Sequence, residues 1–145
     1  MPTARASRPA DAGIVAKIWL ASFGATYSFP PAHSVDQVRA WVAERLLPDT
    51  ETWIAEERGT AIGFISIGGR SIEQLYLLPE QTGRGIGSML MTLAKERRPT
   101  GLELWTFQVN EGARRFYVRH GFHVAELTDG ADNEEQQPDV RYVWP

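Results

Sequence analysis

The chain has 145 residues, 43% of them hydrophobic, with 15 basic and 18 acidic residues and a formal net charge of −3. This acidic balance argues against a general nucleic-acid-binding protein. The absence of cysteine excludes disulfides, thiolate metal sites and a catalytic thiol, and the three histidines lack metal-ligand spacing, so we expect no metal. Because there is no apolar run of 18 residues and the polar, basic start lacks the apolar core of a signal peptide, we expect a cytoplasmic protein without membrane contact.

The length predicts a single domain over residues 1–145. The first elements are a short strand over Thr3–Ser7 and a helix that runs from Asp11, its expected N-cap, to Phe23. Residues Ile14, Ile18 and Ala21 are predicted to face inward from this helix.

A second helix follows the loop over residues 24–33. Ser34 and Gln37 form a capping box at its start, and Pro48 is expected to end it. Its buried stripe is predicted to contain Val35, Val38, Trp41 or Val42, and Leu46.

Period-two patterns and turn residues predict the remaining strands. They cover Thr52–Glu57 and Thr60–Gly68, joined at Arg58–Gly59, then Ser71–Leu78, Leu102–Val109, Phe122–Leu127 and Val140–Trp144. A helix over Gly85–Arg98, with Ile86, Met89, Leu90 and Leu93 inward, precedes the fourth of these strands. The polar, acidic segment Thr128–Asp139 is predicted to be a loop.

The most informative segment is a glycine-rich run between a predicted strand and the helix that follows it. It consists of Thr82, Gly83, Arg84, Gly85, Ile86, Gly87 and Ser88. The first backbone N–H groups of a helix lack intrahelical partners, and the helix dipole adds positive charge there. Glycines allow an anion to approach such a terminus closely. The run therefore predicts a site for the phosphates of a cofactor.

Two other phosphate-binding loops fit this run less well. A Walker A loop requires Gly-Lys-Ser/Thr, whereas here Gly87 is followed by Ser88 and no lysine occurs before Lys95. A dinucleotide-binding fingerprint requires an acidic residue about 20 positions on, and only Glu103 stands near that distance. A tight strand-to-helix turn without a ligand is the alternative interpretation.

A second segment, residues 110–122, has the pattern of one complete short helix. Asn110 is a favourable N-cap, with Glu111 in the first turn. Ala113, Phe116, Tyr117 and His120 share one face, and Gly121 provides the left-handed stop. A capped helix that packs an aromatic pair into the core would have the same pattern.

Together the two segments resemble the signatures of the GNAT family of acyl-CoA-dependent N-acetyltransferases. Thr82-x-x-Gly85-x-Gly87 is similar to the family's Q/R-x-x-G-x-G/A motif, and residues 110–122 match N-x-x-A-x-x-F-Y-x-x-x-G-F at every fixed position. Thr82 departs from the usual Gln or Arg, which affects one side-chain contact to the cofactor but not a main-chain cradle. The order of the predicted elements also fits the family along nearly the whole chain.

The resemblance implies an α/β (α+β) fold with a mixed, mostly antiparallel sheet of about seven strands flanked by four helices. The sheet would splay open between the strands at Ser71–Leu78 and Leu102–Val109. Acetyl-CoA would be the acetyl donor. Its pantetheine arm would bond to the backbone of Leu75, Tyr76 and Leu77 and to Asn110, and its diphosphate would lie on residues 82–88.

The resemblance also implies direct attack of an amine on the thioester in a ternary complex. A main-chain N–H of the splayed strand would stabilise the oxyanion, and Tyr117 would protonate the leaving thiolate. Glu73 is our candidate base, directly or through water, with Glu103 the second choice. An ordinary glutamate is a poor base, so partial burial would have to raise its pKa. A solvent-facing strand glutamate and a core tyrosine are the alternatives for Glu73 and Tyr117.

In similar proteins the first two helices, their loop and the last strands build the acceptor pocket. Here that region offers Trp19, Phe23, Tyr27, Phe29 and Trp105, together with the acidic segment 128–139. Aromatic and acidic groups suit a cationic amine, so we expect a small primary amine as the acceptor. A peptide or protein amine is the next candidate, and a non-catalytic acyl-CoA-binding module is the alternative from another class. Similar proteins are often homodimers, so a homodimer is possible here.

Overall fold

The computed structural model describes residues 1–145, and its seven strands form one sheet in the order β1-β2-β3-β4-β5-β7-β6. The strands are β1 (Thr3–Ala6), β2 (Glu51–Glu57), β3 (Thr60–Gly68), β4 (Ser71–Leu77), β5 (Leu102–Phe107), β6 (His123–Leu127) and β7 (Asp139–Trp144). Every neighbouring pair is antiparallel except β4 and β5. The predicted mixed, mostly antiparallel sheet is confirmed.

Four helical segments flank this sheet. They are α1 (Ala12–Thr26), α2, α3 (Ile86–Arg97) and α4 (Glu111–Arg119). Segment α2 is an α-helix over Val35–Trp41 that continues through a π-helical turn, Val42–Leu46, and a last α-helical turn, Leu47–Asp49. Single 3₁₀ turns occur at Pro9–Asp11 and Pro79–Gln81. None of the helices combines the length and the apolar character that a membrane crossing requires.

The sheet separates two apolar cores. On one face α1 and α2 pack Val15, Ile18, Val38 and Val42 against Ile54 and Phe64 of the sheet. On the other face α3 and α4 pack Ile86, Leu90, Met91 and Tyr117 against Ile65, Ile67 and Leu104. The two helix pairs therefore lie on opposite faces of the sheet.

The ends of α1 differ from the sequence-based prediction. Asp11 precedes the helix but makes no side-chain cap. Its carboxylate instead accepts hydrogen bonds from the Arg5 guanidinium at 2.8 and 2.9 Å and from the Arg8 N–H at 2.7 Å. These contacts lower the pKa of Asp11 to about 2, chiefly through the hydrogen bonds from Arg5. At its other end α1 continues three residues beyond Phe23 to Thr26.

Two predictions about α2 are wrong. Val35 is 48% exposed, because it lies in the first turn, directly after the capping residue, before the helix reaches the sheet. Pro48 does not end the helical segment, which continues to Asp49. The π-helical turn before it uses a wider bond, from the Leu47 N–H to the Val42 carbonyl, and Pro48 then stands in a first-turn position that needs no N–H donor.

The sheet opens between its two parallel strands. β4 pairs with β5 only at Ser71–Glu103 and Ile72–Leu104. Beyond these pairs β4 continues to Leu77 and β5 to Phe107 without further contact in the ladder. The predicted splay is therefore present, and it leaves backbone polar groups of both strands facing a wedge-shaped gap.

Candidate functional site

Six consecutive backbone N–H groups are free at the start of α3. The first helical hydrogen bond runs from the Met89 N–H to the Gly85 carbonyl at 3.0 Å. None of the N–H groups from Gly83 to Ser88 donates a hydrogen bond within the protein. Such a row of free donors at the positive end of a 12-residue helix is a ready anion site.

The glycines of this run have two different tasks. Gly83 and Gly85 adopt φ values of +77° and +83°, which other residues rarely adopt, and open space surrounds them. Gly87 lies in the helix, where an added Cβ would stand 3.2 Å from the Phe116 ring of α4. Gly83 and Gly85 therefore allow the turn that exposes the backbone N–H groups, and Gly87 allows α3 to pack closely against α4.

The side chains of the run contribute less than its backbone. Ile86 is buried in the core and can offer only its N–H to a ligand. Arg84 directs its guanidinium to both oxygens of Glu57, at 2.9 and 3.1 Å, and to Gln81. The hydroxyl of Thr82 donates to the Pro79 carbonyl at 3.0 Å. An anion bound here would therefore be held mainly by main-chain groups.

The edge of β4 continues this row of free backbone groups. The Leu78 N–H donates to the Ile62 carbonyl of β3, and Tyr76 stands opposite Phe64 in the same antiparallel ladder. Because hydrogen bonding alternates along such a ladder, Leu75 and Leu77 turn their backbone groups toward the gap, while those of Tyr76 pair with β3. The prediction that the backbone of Leu75, Tyr76 and Leu77 is available to pantetheine therefore fails for Tyr76, which can contact the site only through its side chain.

A cavity of about 210 Å³ occupies the gap between β4 and β5. Among its lining residues are Leu75, Leu77, Thr82, Gly87, Asn110 and Tyr117. This smaller cavity is continuous with the free amides at the start of α3, because Thr82 and Gly87 border both. It brings together predicted cofactor-binding residues from three separate parts of the chain.

Tyr117 lies in the wall of the smaller cavity and is only 8% exposed. No protein group hydrogen-bonds its hydroxyl, and no polar side-chain atom of the protein is both fully buried and without a partner. The hydroxyl therefore opens into the cavity. Burial raises the pKa of Tyr117 well above the ordinary phenol value, and the nearby Tyr27 adds to the effect, so the group is protonated at neutral pH.

A second cavity of about 590 Å³ lies on the other side of the gap, between α1, α2 and the β6–β7 loop. Seven aromatic residues line it: Trp19, Phe23, Tyr27, Trp41, Tyr76, Trp105 and Phe107. Four of the five aromatic residues predicted for an acceptor pocket are thus present. The fifth, Phe29, is not in the lining but packs behind Tyr27 and Phe107, at ring-centroid distances of 5.0 and 5.5 Å.

The polar lining of this larger cavity is acidic. It includes Glu73, Glu134, Glu135 and Asp139 but no lysine or arginine. His33, from the α1–α2 loop, contacts the carboxylate of Glu134 at 2.5 Å across the rim of the cavity. The larger cavity therefore favours a positively charged occupant.

Glu73 stands in a β-bulge where the two cavities meet. Ile72 and Gln74 oppose Ile67 and Ser66 of β3, so Glu73 is the inserted residue without a partner. Its carboxylate is partly exposed, lines both cavities and makes no ion pair or hydrogen bond within the protein. Burial, and then the negative charge of Glu103, raise the pKa of Glu73 above the ordinary glutamate value.

Glu103, the second candidate base, lies elsewhere. It stands next to Ser71 at the closed end of the gap and forms an ion pair with Arg141 at 3.3 Å. It lines neither of the two cavities. Of the two glutamates, only Glu73 has access to both.

Several residues of the site carried no recognisable signal in the sequence. Gln74, which accepts a hydrogen bond from the Trp19 indole at 3.0 Å, and Thr106 line both cavities. His33 and Gln37 line only the larger one. Their roles depend on loop positions and on contacts between distant segments, which no local pattern encodes.

There is no group of three or more His, Asp or Glu side chains arranged to hold a metal ion. The candidate site therefore consists of the free amides, the open edge of β4 and the two adjoining cavities.

Comparison with known proteins shows similarity to acetyltransferases of the GNAT family. Residues 48–124 match the family model described as "Acetyltransferase (GNAT) domain". The chain is 30% identical over 142 residues to peptidyl-lysine N-acetyltransferase YiaC of Escherichia coli K12, an alignment that covers 97% of this chain and 95% of that protein.

Two solved structures have the same fold. One is the solution structure of apo YjaB from Escherichia coli, with a TM-score of 0.82, 27% identity and coverage of 99% and 97% of the two chains. The other is the PaiA N-acetyltransferase of Thermoplasma acidophilum in complex with coenzyme A, with a TM-score of 0.74, 22% identity and coverage of 99% and 98%.

Proposed function

Because this chain belongs to the GNAT family of acetyl-CoA-dependent N-acetyltransferases, we propose that residues 1–145 act as one domain that acetylates a cationic primary amine in a ternary complex. The observation that carries this proposal is the junction of the two cavities. Both cavities are lined by Tyr27, Glu73, Gln74, Tyr76, Trp105 and Thr106. A thioester in the smaller cavity and an amine in the larger one would meet at these residues.

The smaller cavity and the free amides fit acetyl-CoA. The N–H groups of residues 83–88 would hold the diphosphate, and the exposed backbone of Leu75 and Leu77 would bond the pantetheine amides as an added strand does. Asn110 already donates from Nδ2 to Tyr27 and accepts at Oδ1 from the Ala113 N–H. Its second Nδ2 hydrogen remains for the pantetheine arm. The related fold of PaiA, solved with coenzyme A, supports the same donor.

The reaction needs one base and one proton donor. An alkylamine is almost wholly protonated at neutral pH, so Glu73, directly or through water, would take the proton that frees the nitrogen lone pair. The nitrogen then bonds to the thioester carbon while the carbonyl π pair moves to oxygen. When the carbonyl re-forms, the C–S bond breaks and its electron pair leaves on sulfur. The nitrogen loses its second proton to solvent, which leaves a neutral amide.

Tyr117 would donate a hydrogen bond or a proton to that sulfur. Its hydroxyl lines only the smaller cavity, where the thioester sulfur would lie. With ordinary pKa values near 10 for a phenol and 8.5 for a thiol, full proton transfer is uphill by about 2 kcal/mol. Burial raises the pKa of Tyr117 further, which makes full proton transfer less favourable. A hydrogen bond from Tyr117 that strengthens as charge develops on sulfur therefore requires less free energy than full transfer.

We propose a small alkylamine as the acceptor. A volume of about 590 Å³ lies within the range of small-molecule sites, and His33 and Glu134, which contact each other, belong to its lining. Aromatic faces and unpaired carboxylates attract an alkylammonium group. Amino acids, polyamines and aminoglycoside-like compounds carry such groups.

A lysine side chain of a peptide is the second candidate. It presents the same alkylammonium, and the similarity to YiaC, named a peptidyl-lysine N-acetyltransferase, favours it. In that case the larger cavity would take only the side chain, and the peptide backbone would lie outside the His33–Glu134 contact.

A panel of acceptors tests the proposal. Release of free coenzyme A thiol from acetyl-CoA would be measured with small diamines, amino acids, an aminoglycoside and lysine-containing peptides, each beside the Glu73→Gln variant. We expect turnover on small primary amines that Glu73→Gln abolishes. Turnover only on peptides would replace the first candidate by the second. Acetyl-CoA binding by calorimetry, with no thiol release on any amine, would indicate a non-catalytic acyl-CoA-binding module.

A further inference from the structure

Tyr27 stands between the two cavities, and both ring packing and a hydrogen bond fix the position of its hydroxyl oxygen. It is the residue that follows α1, and it lines the smaller and the larger cavity alike. Its ring is held from three sides, by Phe23, Phe29 and Phe107, at centroid distances of 4.8, 5.0 and 5.2 Å. The position of its oxygen is therefore set by packing as well as by polar contacts.

Hydrogen bonding leaves the proton of this phenol free. Asn110 Nδ2 donates to Tyr27 Oη at 3.0 Å, and the carbonyl of the same Asn110 side chain is fixed by the Ala113 N–H at 3.1 Å. That cap determines which end of the amide faces Tyr27, so the oxygen of Tyr27 is an acceptor in this contact. The Tyr27 hydroxyl donates to no group of the protein. Its O–H is free to turn into the space where the cavities join, which Thr106 also lines.

An accepted hydrogen bond distinguishes this hydroxyl from the other two phenols nearby, those of Tyr76 and Tyr117. Burial raises the pKa of Tyr27, but the hydrogen bond that Asn110 Nδ2 donates to its oxygen acts in the opposite direction. Tyr76 and Tyr117 have no such bonds, and burial raises the pKa of each without that compensation. Accepted hydrogen bonds polarise an O–H group and strengthen the bond that it donates.

We propose that Tyr27 is a further catalytic residue of the proposed acetyl transfer, whose hydroxyl donates a hydrogen bond to the thioester carbonyl oxygen. Of the substrate groups that would meet at the junction, the carbonyl oxygen and the sulfur can accept from an O–H, whereas an ammonium offers no lone pair. Tyr117, confined to the smaller cavity, faces the sulfur. The hydroxyl of Tyr27 then faces the oxygen, and it supplements the main-chain N–H of β4.

The bond acts when charge develops. As the amine nitrogen bonds to the carbon, the carbonyl π pair moves to oxygen, and the Tyr27 hydrogen bond shortens onto that oxyanion without transferring its proton. The pair returns when the C–S bond breaks and sulfur leaves with its electrons. A donor fixed in advance by Asn110 needs no reorganisation at this moment.

This inference rests on the proposed function. Two measurements distinguish a failure of the inference from a failure of the proposed function. The first is the carbonyl stretch of [1-¹³C]acetyl-CoA bound to the protein, which requires no acceptor amine. The second is the separate determination of kcat and of the KM values for acetyl-CoA and for the preferred amine. The variants are Tyr27→Phe, which keeps the aromatic packing, and the control Tyr142→Phe, which removes a buried hydroxyl that accepts from Arg114 and lines neither cavity.

We expect the carbonyl stretch to move to higher wavenumber in Tyr27→Phe alone. In the same variant kcat should fall on the order of 10²-fold, the usual loss for one oxyanion donor, with both KM values within about twofold. An unchanged stretch and kcat in Tyr27→Phe, or the same changes in the control Tyr142→Phe, would overturn the inference while leaving the proposed function in place. A wild-type chain that binds no acetyl-CoA would overturn both.

Discussion

The carboxylate of Glu73 lies directly over Gly68 of the neighbouring strand, so that a Cβ at this glycine would stand 2.9 Å from Glu73 Oε1. The bulge at Glu73 and the missing side chain at Gly68 together define where the carboxylate rests. The candidate base is therefore positioned by a feature of the sheet as well as by its own residue type.

Changing Gly68 to alanine should displace this carboxylate without removing it. We expect Gly68→Ala to lower kcat by roughly 10- to 100-fold, because small displacements of a reacting group have effects of this order. The Kd for acetyl-CoA should not change. Gly13→Ala is the control, since an added Cβ there meets nothing within 4 Å. A Gly68→Ala enzyme with normal kcat would show that Glu73 does not act from this position.

The acid limb of the pH profile should report Glu73. The base is active as the carboxylate, so activity falls as the pH drops through its pKa, which burial and Glu103 raise above the ordinary value. Removing the charge in Glu103→Gln lowers that pKa, so the limb should move to lower pH. The amine's own ionisation is common to both enzymes and cancels in the comparison. A limb that stays in place or moves to higher pH would exclude Glu73 as the titrating group.

Tyr117→Phe removes only a hydroxyl that has no protein partner, so the fold should be little disturbed. We expect kcat to fall by about 10²- to 10⁴-fold, the range for a lost general acid, while acetyl-CoA affinity is kept. Calorimetry and thiol-release kinetics measure the two quantities separately. A negligible change in kcat would remove Tyr117 from the mechanism.

The turn of the glycine-rich run can be strained at one residue. Gly85 has a φ of +83° in open space, and a left-handed conformation costs other residues roughly 1–2 kcal/mol. If the turn relaxes to avoid this cost, its amides move, and the Kd for coenzyme A in Gly85→Ala should rise on the order of tenfold.

Gly69→Ala provides the matched control for that experiment. Gly69 has a φ of +58°, also in open space, but it stands in the β3–β4 turn and lines neither cavity. It should lose comparable stability in thermal unfolding and keep its affinity for coenzyme A. Equal losses of affinity in both variants would mean that the effect is on stability and not on the cradle.

Local sequence patterns predicted most of the secondary-structure elements. The capping box is present, with Gln37 Oε1 accepting from the Ser34 N–H at 2.8 Å and the Ser34 hydroxyl accepting from the Gln37 N–H at 3.2 Å. The β2–β3 turn has Arg58 and Gly59 at φ values of +54° and +78°. These features depend on residues a few positions apart, which is the range over which a single sequence is informative.

The remaining features depend on distant residues. The bulge at Glu73 arises from the register of β3 and β4, the Asp11 carboxylate is taken by Arg5, and Arg84 is held by Glu57 from another strand. Likewise, the hydrogen bond between Asn110 and Tyr27 spans 83 positions. Nothing in the local pattern around any of these residues indicates its partner.

A crystal structure of the protein with acetyl-CoA would examine the cradle and the junction together. The account predicts diphosphate oxygens about 3 Å from the N–H groups of residues 83–88 and the thioester carbon at the junction, within reach of Glu73, Tyr27 and Tyr117. A diphosphate bound elsewhere, or a thioester that does not reach the junction of the two cavities, would contradict it.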